Sequence, residues 1–154
     1  MIVPEQIIQD VLNEVVERFL KPKFIELGMN ASGDWLRSLE VRTSLNRGEI
    51  WGNDYTEYLV NGRGPGKRPP ISPLVRWVGF KFGQSGQEAV STAYAIANKI
   101  AKEGTEYYPN GTDLLEVLQS SEVTQFINNK IGEYILQDTQ LRITKMIKDT
   151  LITA

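Results

Sequence analysis

The chain has 154 residues, 41% hydrophobic and 23% charged, with a net charge of −2 and a pI near 5.3. That suits one globular domain with a core of its own, and the acidic balance argues against nucleic-acid binding over the whole surface. With no cysteine and no histidine, disulfides, thiol nucleophiles, zinc sites built on those residues and imidazole acid–base chemistry are all excluded.

The first element is a helix. Pro4 suits a helix start, and Ile7, Ile8, Val11, Leu12, Val15, Val16 and Phe19 recur at helical spacing. Pro22 should kink or end it, with one or two further turns before Gly28. No apolar run reaches the ~20 residues needed to cross a bilayer. Glu5 and Asp10 stand where a secretion signal would carry basic residues. Synthesis in the cytoplasm is therefore expected.

Ser32–Leu39 reads as a turn leading into a strand. Leu39, Val41, Thr43 and Leu45 alternate with Glu40, Arg42 and Ser44, the period of a half-buried strand. Asn46-Arg47-Gly48 is a turn signal, so a returning strand over Glu49–Asn53 would complete a hairpin. Asp54-Tyr55-Thr56-Glu57 has capping-box spacing and opens a short helix through Val60.

Residues Gly62 to Pro70 (Gly-Arg-Gly-Pro-Gly-Lys-Arg-Pro-Pro) exclude both helix and central strand. Ser72-Pro73 should cap a helix through Phe82, and Ser85-Gly86-Gln87-Glu88 a second one that ends at Gly104. Thr105–Gly111 is a loop or short strand. Leu114–Leu118 forms a short helix. From Ser121 onward one long helix carries Val123, Phe126, Ile127, Ile131, Tyr134, Ile135, Leu141, Ile143, Met146, Ile147 and Leu151. These exceed a single stripe, so part of that surface is expected to meet another chain. Deleting everything after Gln119 is expected to leave the domain folded.

The expected fold is α+β: a small antiparallel sheet packed with several helices, including long N-terminal and C-terminal ones. A single domain spans 1–154, with a core over 1–119 and a helical extension over 120–154. Trp35, Leu39, Val41, Tyr58, Leu59, Trp77, Val78 and Ile96 are the expected core.

The glycine-rich segment fails as a phosphate-binding loop. Counting back from Gly66-Lys67, Asn61 holds the first glycine position and Arg68 the hydroxyl position. The segment is basic, however, with no acid between Glu57 and Glu88. Tyr55, Tyr58, Trp77, Phe80 and Phe82 lie among or beside Arg63, Lys67, Arg68, Arg76 and Lys81. Such a mixture could track a nucleic-acid backbone and stack bases, so a nucleic-acid-binding accessory protein using residues 63–82 is the alternative reading. The blander account is a core plus a solvated loop or an inter-subunit arm. Two acid pairs, Asp54/Glu57 and Glu103/Glu106, could do acid–base work in a cleft, but capping and solvated loops explain them, and no enzyme is expected. No cofactor or metal is expected either.

The order of elements carries a resemblance. A long helix, then Ser32-Gly33-Asp34-Trp35-Leu36-Arg37-Ser38-Leu39, a hairpin, Tyr55-Thr56-Glu57-Tyr58-Leu59-Val60-Asn61-Gly62 and a Pro/Arg loop follow in turn. Over residues 1–105 this resembles the tail-completion or neck (head–tail connector) proteins of tailed bacteriophages. The long C-terminal helix departs from that compact pattern. The resemblance implies a ring of copies, a hexamer or dodecamer, in the virion neck or tail after assembly in the host cytoplasm. It implies portal, adaptor and tail proteins as neighbours, with DNA passing through the lumen and no membrane. It also implies that Gly62, Arg63, Gly64, Lys67, Arg68, Pro69 and Pro70 form a loop facing neighbours or the lumen.

Overall fold

The structure, a computed structural model, describes residues 2–152. Helix α1 (Glu5–Val15) runs without a break through a π turn (Val16–Leu20) into α2 (Lys21–Glu26). Pro22 therefore does not end the helix. It lacks the N–H that would bond back, and the wider turn just before it provides room for its ring. Gly28, at φ +69, makes the stop. One side of this helix is the spine of the core: Val16, Leu20 and Phe24 are buried with Trp35 and Leu114.

Trp35 lies on the short helix α3 (Asp34–Ser38) and is 2% exposed. Its ring stacks on Phe24, centroids 4.5 Å apart. Its indole N–H donates to Thr56 Oγ1 at 2.8 Å, which satisfies the one polar atom of the buried ring. Residue 39 then turns extended, and β1 (Glu40–Ser44) pairs antiparallel with β2 (Arg47–Trp51). The turn is tighter than expected. Ser44 pairs with Arg47, leaving only Leu45 and Asn46 as the loop, with Asn46 at φ 53. Gly48 is thus a strand residue, and this two-stranded sheet lies across α1.

Helix α4 (Thr56–Asn61) follows, capped by backbone geometry and not by Asp54. Next come α5 (Ile71–Phe82) and α6 (Gly86–Glu103), a helical hairpin with a small core of its own. Ala89 and Ala93 are buried there against Val78, and their short side chains let the two backbones approach closely. The expected side-chain caps are absent. Helix α5 begins at Ile71, ahead of Ser72, and Ser85 precedes α6 without a capping bond. A short 3₁₀ turn (Glu116–Gln119) leads into α7 (Ser121–Ile152), 32 residues and about 48 Å long.

The molecule is therefore α+β, a small antiparallel sheet among helices with long helices at both ends. Of the expected core, Trp35 and Val78 are buried, while Leu39, Val41, Leu59, Trp77 and Ile96 are half-buried. Tyr58 is 53% exposed. Helix α4 turns its neighbours Leu59 and Val60 inward, which leaves Tyr58 on the opposite side.

Candidate interaction surfaces

The basic loop begins where Gly62, at φ 72, ends α4. It is strapped to the chain's own body. Arg63 N–H donates to Thr105 Oγ1 and Thr105 N–H donates to Arg63 O, each at 2.8 Å. Gly66 N–H donates to Ala101 O at 2.9 Å. A Cβ on Gly62 would come within 2.5 Å of the Tyr108 backbone nitrogen, and one on Gly104 within 2.6 Å of Arg63 O. The glycines are therefore spacers for two backbones in contact. Gly64 lies against the Tyr108 ring, and Pro69 is buried. Arg63 donates to Lys67 O at 3.0 Å, with its guanidinium 5.8 Å from the Tyr58 ring centre. What stands out into solvent is the tip: Pro65, Gly66, Lys67 and Arg68, with Pro70 behind them.

Further along the basic segment, Lys81 donates to Gly28 O at 2.7 Å, and Trp77 meets Phe82 edge-on at 5.4 Å. Arg63 and Lys81 are thus engaged within the chain. Lys67, Arg68, Arg76 and Lys81 are exposed, and Arg63 is half-buried. Of the five cations that could track a nucleic-acid backbone, Arg63 and Lys81 each spend a hydrogen bond on a backbone carbonyl of the chain itself.

Two concavities lie where the α5–α6 hairpin meets the body. The smaller, about 310 Å³, runs from Phe24 and Met29 past Trp35 to Arg76 and Phe80. On its rim Asp34 accepts from Ser32 Oγ at 2.6 Å and pairs with Arg37 at 2.5 Å. The Ser32 hydroxyl and then the Arg37 guanidinium hold its carboxyl below the ordinary range. An acid held ionised in this way is a poor proton donor near neutral pH. The same direction holds for Glu40, Glu49 and Asp113, each shifted down chiefly by a side-chain hydrogen bond. Asp54, Glu57, Glu103 and Glu106 are all exposed. Among the described residues no three metal-ligating side chains cluster, and no helix is long and apolar enough to cross a membrane.

The larger groove, about 1050 Å³, has Leu74, Trp77 and Phe82 on one wall and Ile96 and Ile100 on the other. It closes beneath on Leu27, Leu59 and Tyr107. Sequence reasoning missed it. The available signal was α5 itself, where Leu74, Val75, Trp77, Val78, Phe80 and Phe82 are too many for the single face that packs on α6.

The last surface is α7. Its first half packs on α1 and the π turn after it: Val123 is 1% exposed, Phe126 meets Phe19 edge-on at 5.5 Å, and Lys130 pairs with Glu14 at 3.4 Å. From Leu136 the helix leaves the body. Leu136, Leu141, Ile143, Met146, Ile147, Leu151 and Ile152 are 52–82% exposed.

Against known proteins, the chain has no significant match among protein families, curated proteins or solved structures.

Proposed function

We propose that this protein is a non-catalytic structural subunit of a tailed bacteriophage. It would form part of a ring in the neck or tail-completion region that joins head to tail. The neck assignment is drawn from the motif order over residues 1–105. The structural observation that carries the assembly reading is the second half of α7. Seven large apolar side chains on a projecting helix are costly in water and ordinary at a subunit contact. In this reading the neighbours are further copies of the chain, then portal, adaptor and tail proteins. The Lys67–Arg68 tip, repeated in every copy, would form a positive belt facing an acidic partner or passing DNA.

The nucleic-acid-binding alternative fits less well, because Arg63 and Lys81 are turned back onto backbone carbonyls. Catalysis fits less well too, since the shifted carboxylates stand in surface ion pairs and hydrogen bonds and all move downward.

The test is electron microscopy and native mass measurement of the full chain, with proteomics of purified phage particles. Closed rings, together with the chain in a fixed copy number per particle, are the expected result. A protein monomeric at every concentration and missing from particles would sink the proposal.

A further inference from the structure

We infer that the free end of α7 seats in the α5–α6 groove of a second copy of the chain, in a head-to-tail contact. This deepens the ring reading by naming its subunit contact, but the contact can be tested without a virion.

The donor is a ridge. Ile143, Ile147 and Leu151 recur every four residues, with Met146 beside them, and they are 52, 54, 73 and 68% exposed in the order Ile143, Ile147, Leu151, Met146. At about 100° per residue, Ile143 lies about 160° round the helix from both Val123 and Ile127. Those two sit on the half of α7 that packs against α1. Ile143 and, at about 120–160°, Ile147 therefore face away from the body, and a straight helix cannot bring them back to its own groove.

The acceptor is the groove, with Phe82 55% exposed on its wall. The lengths agree. Ile143 to Leu151 and Leu74 to Phe82 each span the same number of helical rises, about 12 Å. A ridge of every-fourth side chains is also the shape that fits between two packed helices. The four ridge residues expose on the order of 500 Å², and an equal area of groove brings the contact to about 1,000 Å², the lower bound for a specific interface. The rim charges, Lys81, Lys99, Glu103 and Glu106, balance and neither draw nor repel the helix.

Pairing of two α7 ends with each other would leave the groove open. Seating the ridge in the groove covers both surfaces at once. Because donor and acceptor are different patches of one chain, the contact repeats from copy to copy, as a ring requires.

The experiment is sedimentation velocity on the full chain over a wide concentration range. It compares wild type with Ile147→Asp, which spoils the ridge, and Phe82→Lys, which spoils the groove. Both side chains are more than half exposed, and thermal unfolding checks each fold. Should Phe82→Lys unfold, Ile100→Gln on the opposite wall carries the same test.

Expected are concentration-dependent oligomers for wild type and at least tenfold weaker association for either variant. An equimolar mixture of the two variants should form dimers and stop there, since it holds one good ridge and one good groove per pair. Loss of association with Ile147→Asp alone would mean that the helices pair with each other, and would overturn the contact. So would a monomeric wild type or a mixture that stays monomeric. Association that obeys the mixing rule but never closes would sink the ring reading and leave this contact standing. Closed rings indifferent to Phe82→Lys would do the reverse.

Discussion

Gly48 lies directly against Leu12. A Cβ on Gly48 would overlap Leu12 Cδ1 and come within 2.8 Å of Ile8 Cγ2. The missing side chain is what lets the hairpin rest on α1. Gly48→Ala should therefore cost about 1–3 kcal/mol through overpacking. Combining it with Leu12→Ala should recover part of that loss, because the two sites share one space. Urea unfolding of the two single variants and the pair measures the coupling, and strict additivity would show that no clash exists.

Trp35 ties three segments together: α3 holds it, Phe24 stacks on it, and Thr56 accepts its N–H. Trp35→Ala should cost about 3–5 kcal/mol. Trp35→Phe keeps the stack and loses the bond, so a cost nearer 1 kcal/mol is expected. Equal losses from both would place the whole effect on the hydrogen bond.

Lys23 and Asp113 form a bond at 2.7 Å between α2 and the segment ahead of the 3₁₀ turn. That bond is the main reason Asp113 falls below its ordinary 3.8 and Lys23 rises above its ordinary 10.5. A lowered carboxyl contributes stability above its unfolded value, lost as pH falls through the folded one. A raised ammonium contributes below 10.5, and this is lost as pH rises through its folded value. Asp113→Asn should thus lower the urea midpoint at neutral pH. The gap from wild type should close in acid, and again well above 10.5. A gap independent of pH would show that the charges are not coupled.

Truncation separates the two halves of α7. Removal of residues 136–154 takes helix that over 136–152 is exposed except for half-buried Asp138, and should leave the melting temperature within a few degrees of wild type. Removal of everything after Gln119 also strips out buried Val123 and takes Phe126 off Phe19. It should be strongly destabilising, against the expectation from sequence that this deletion leaves the domain folded. Differential scanning calorimetry of both forms decides between the two accounts.

The elements were legible in the sequence because their signals are local. The period-2 run at 39–45 and the four-residue spacing before Pro22 depend only on neighbouring residues. Gly28, Gly83 and Gly104 end helices through their own positive φ. Three things were not local. Gly48 reads as a turn residue until α1 lies beneath it. Tyr58 reads as core until α4 is docked and its other face is used up. Asp54, Ser72 and Ser85 have the composition of caps, yet the backbone enters α4, α5 and α6 without their side chains bonding. The candidate surface divided in the same way. The exposed tip Lys67–Arg68 and the apolar α7 end are visible as composition. The groove exists only once α5, α6 and the 27–29 turn come together.

The paired bonds between Arg63 and Thr105 have a consequence for how this chain could vary. They bring its entry to and exit from the α5–α6 hairpin to the same point, and the hairpin carries its own small core. In architectural terms residues 64–104 are laid out as an insertion would be, entering and leaving at one doorway, with Lys81 on Gly28 O as a further tie to the body. Changes of length at the far end of such an arm, beyond Lys81 and the groove residues, would leave its ties to the body in place. A chimera taking an α5–α6 hairpin of different length from another protein, joined at Arg63 and Thr105, should therefore fold on the same body and present a different reach.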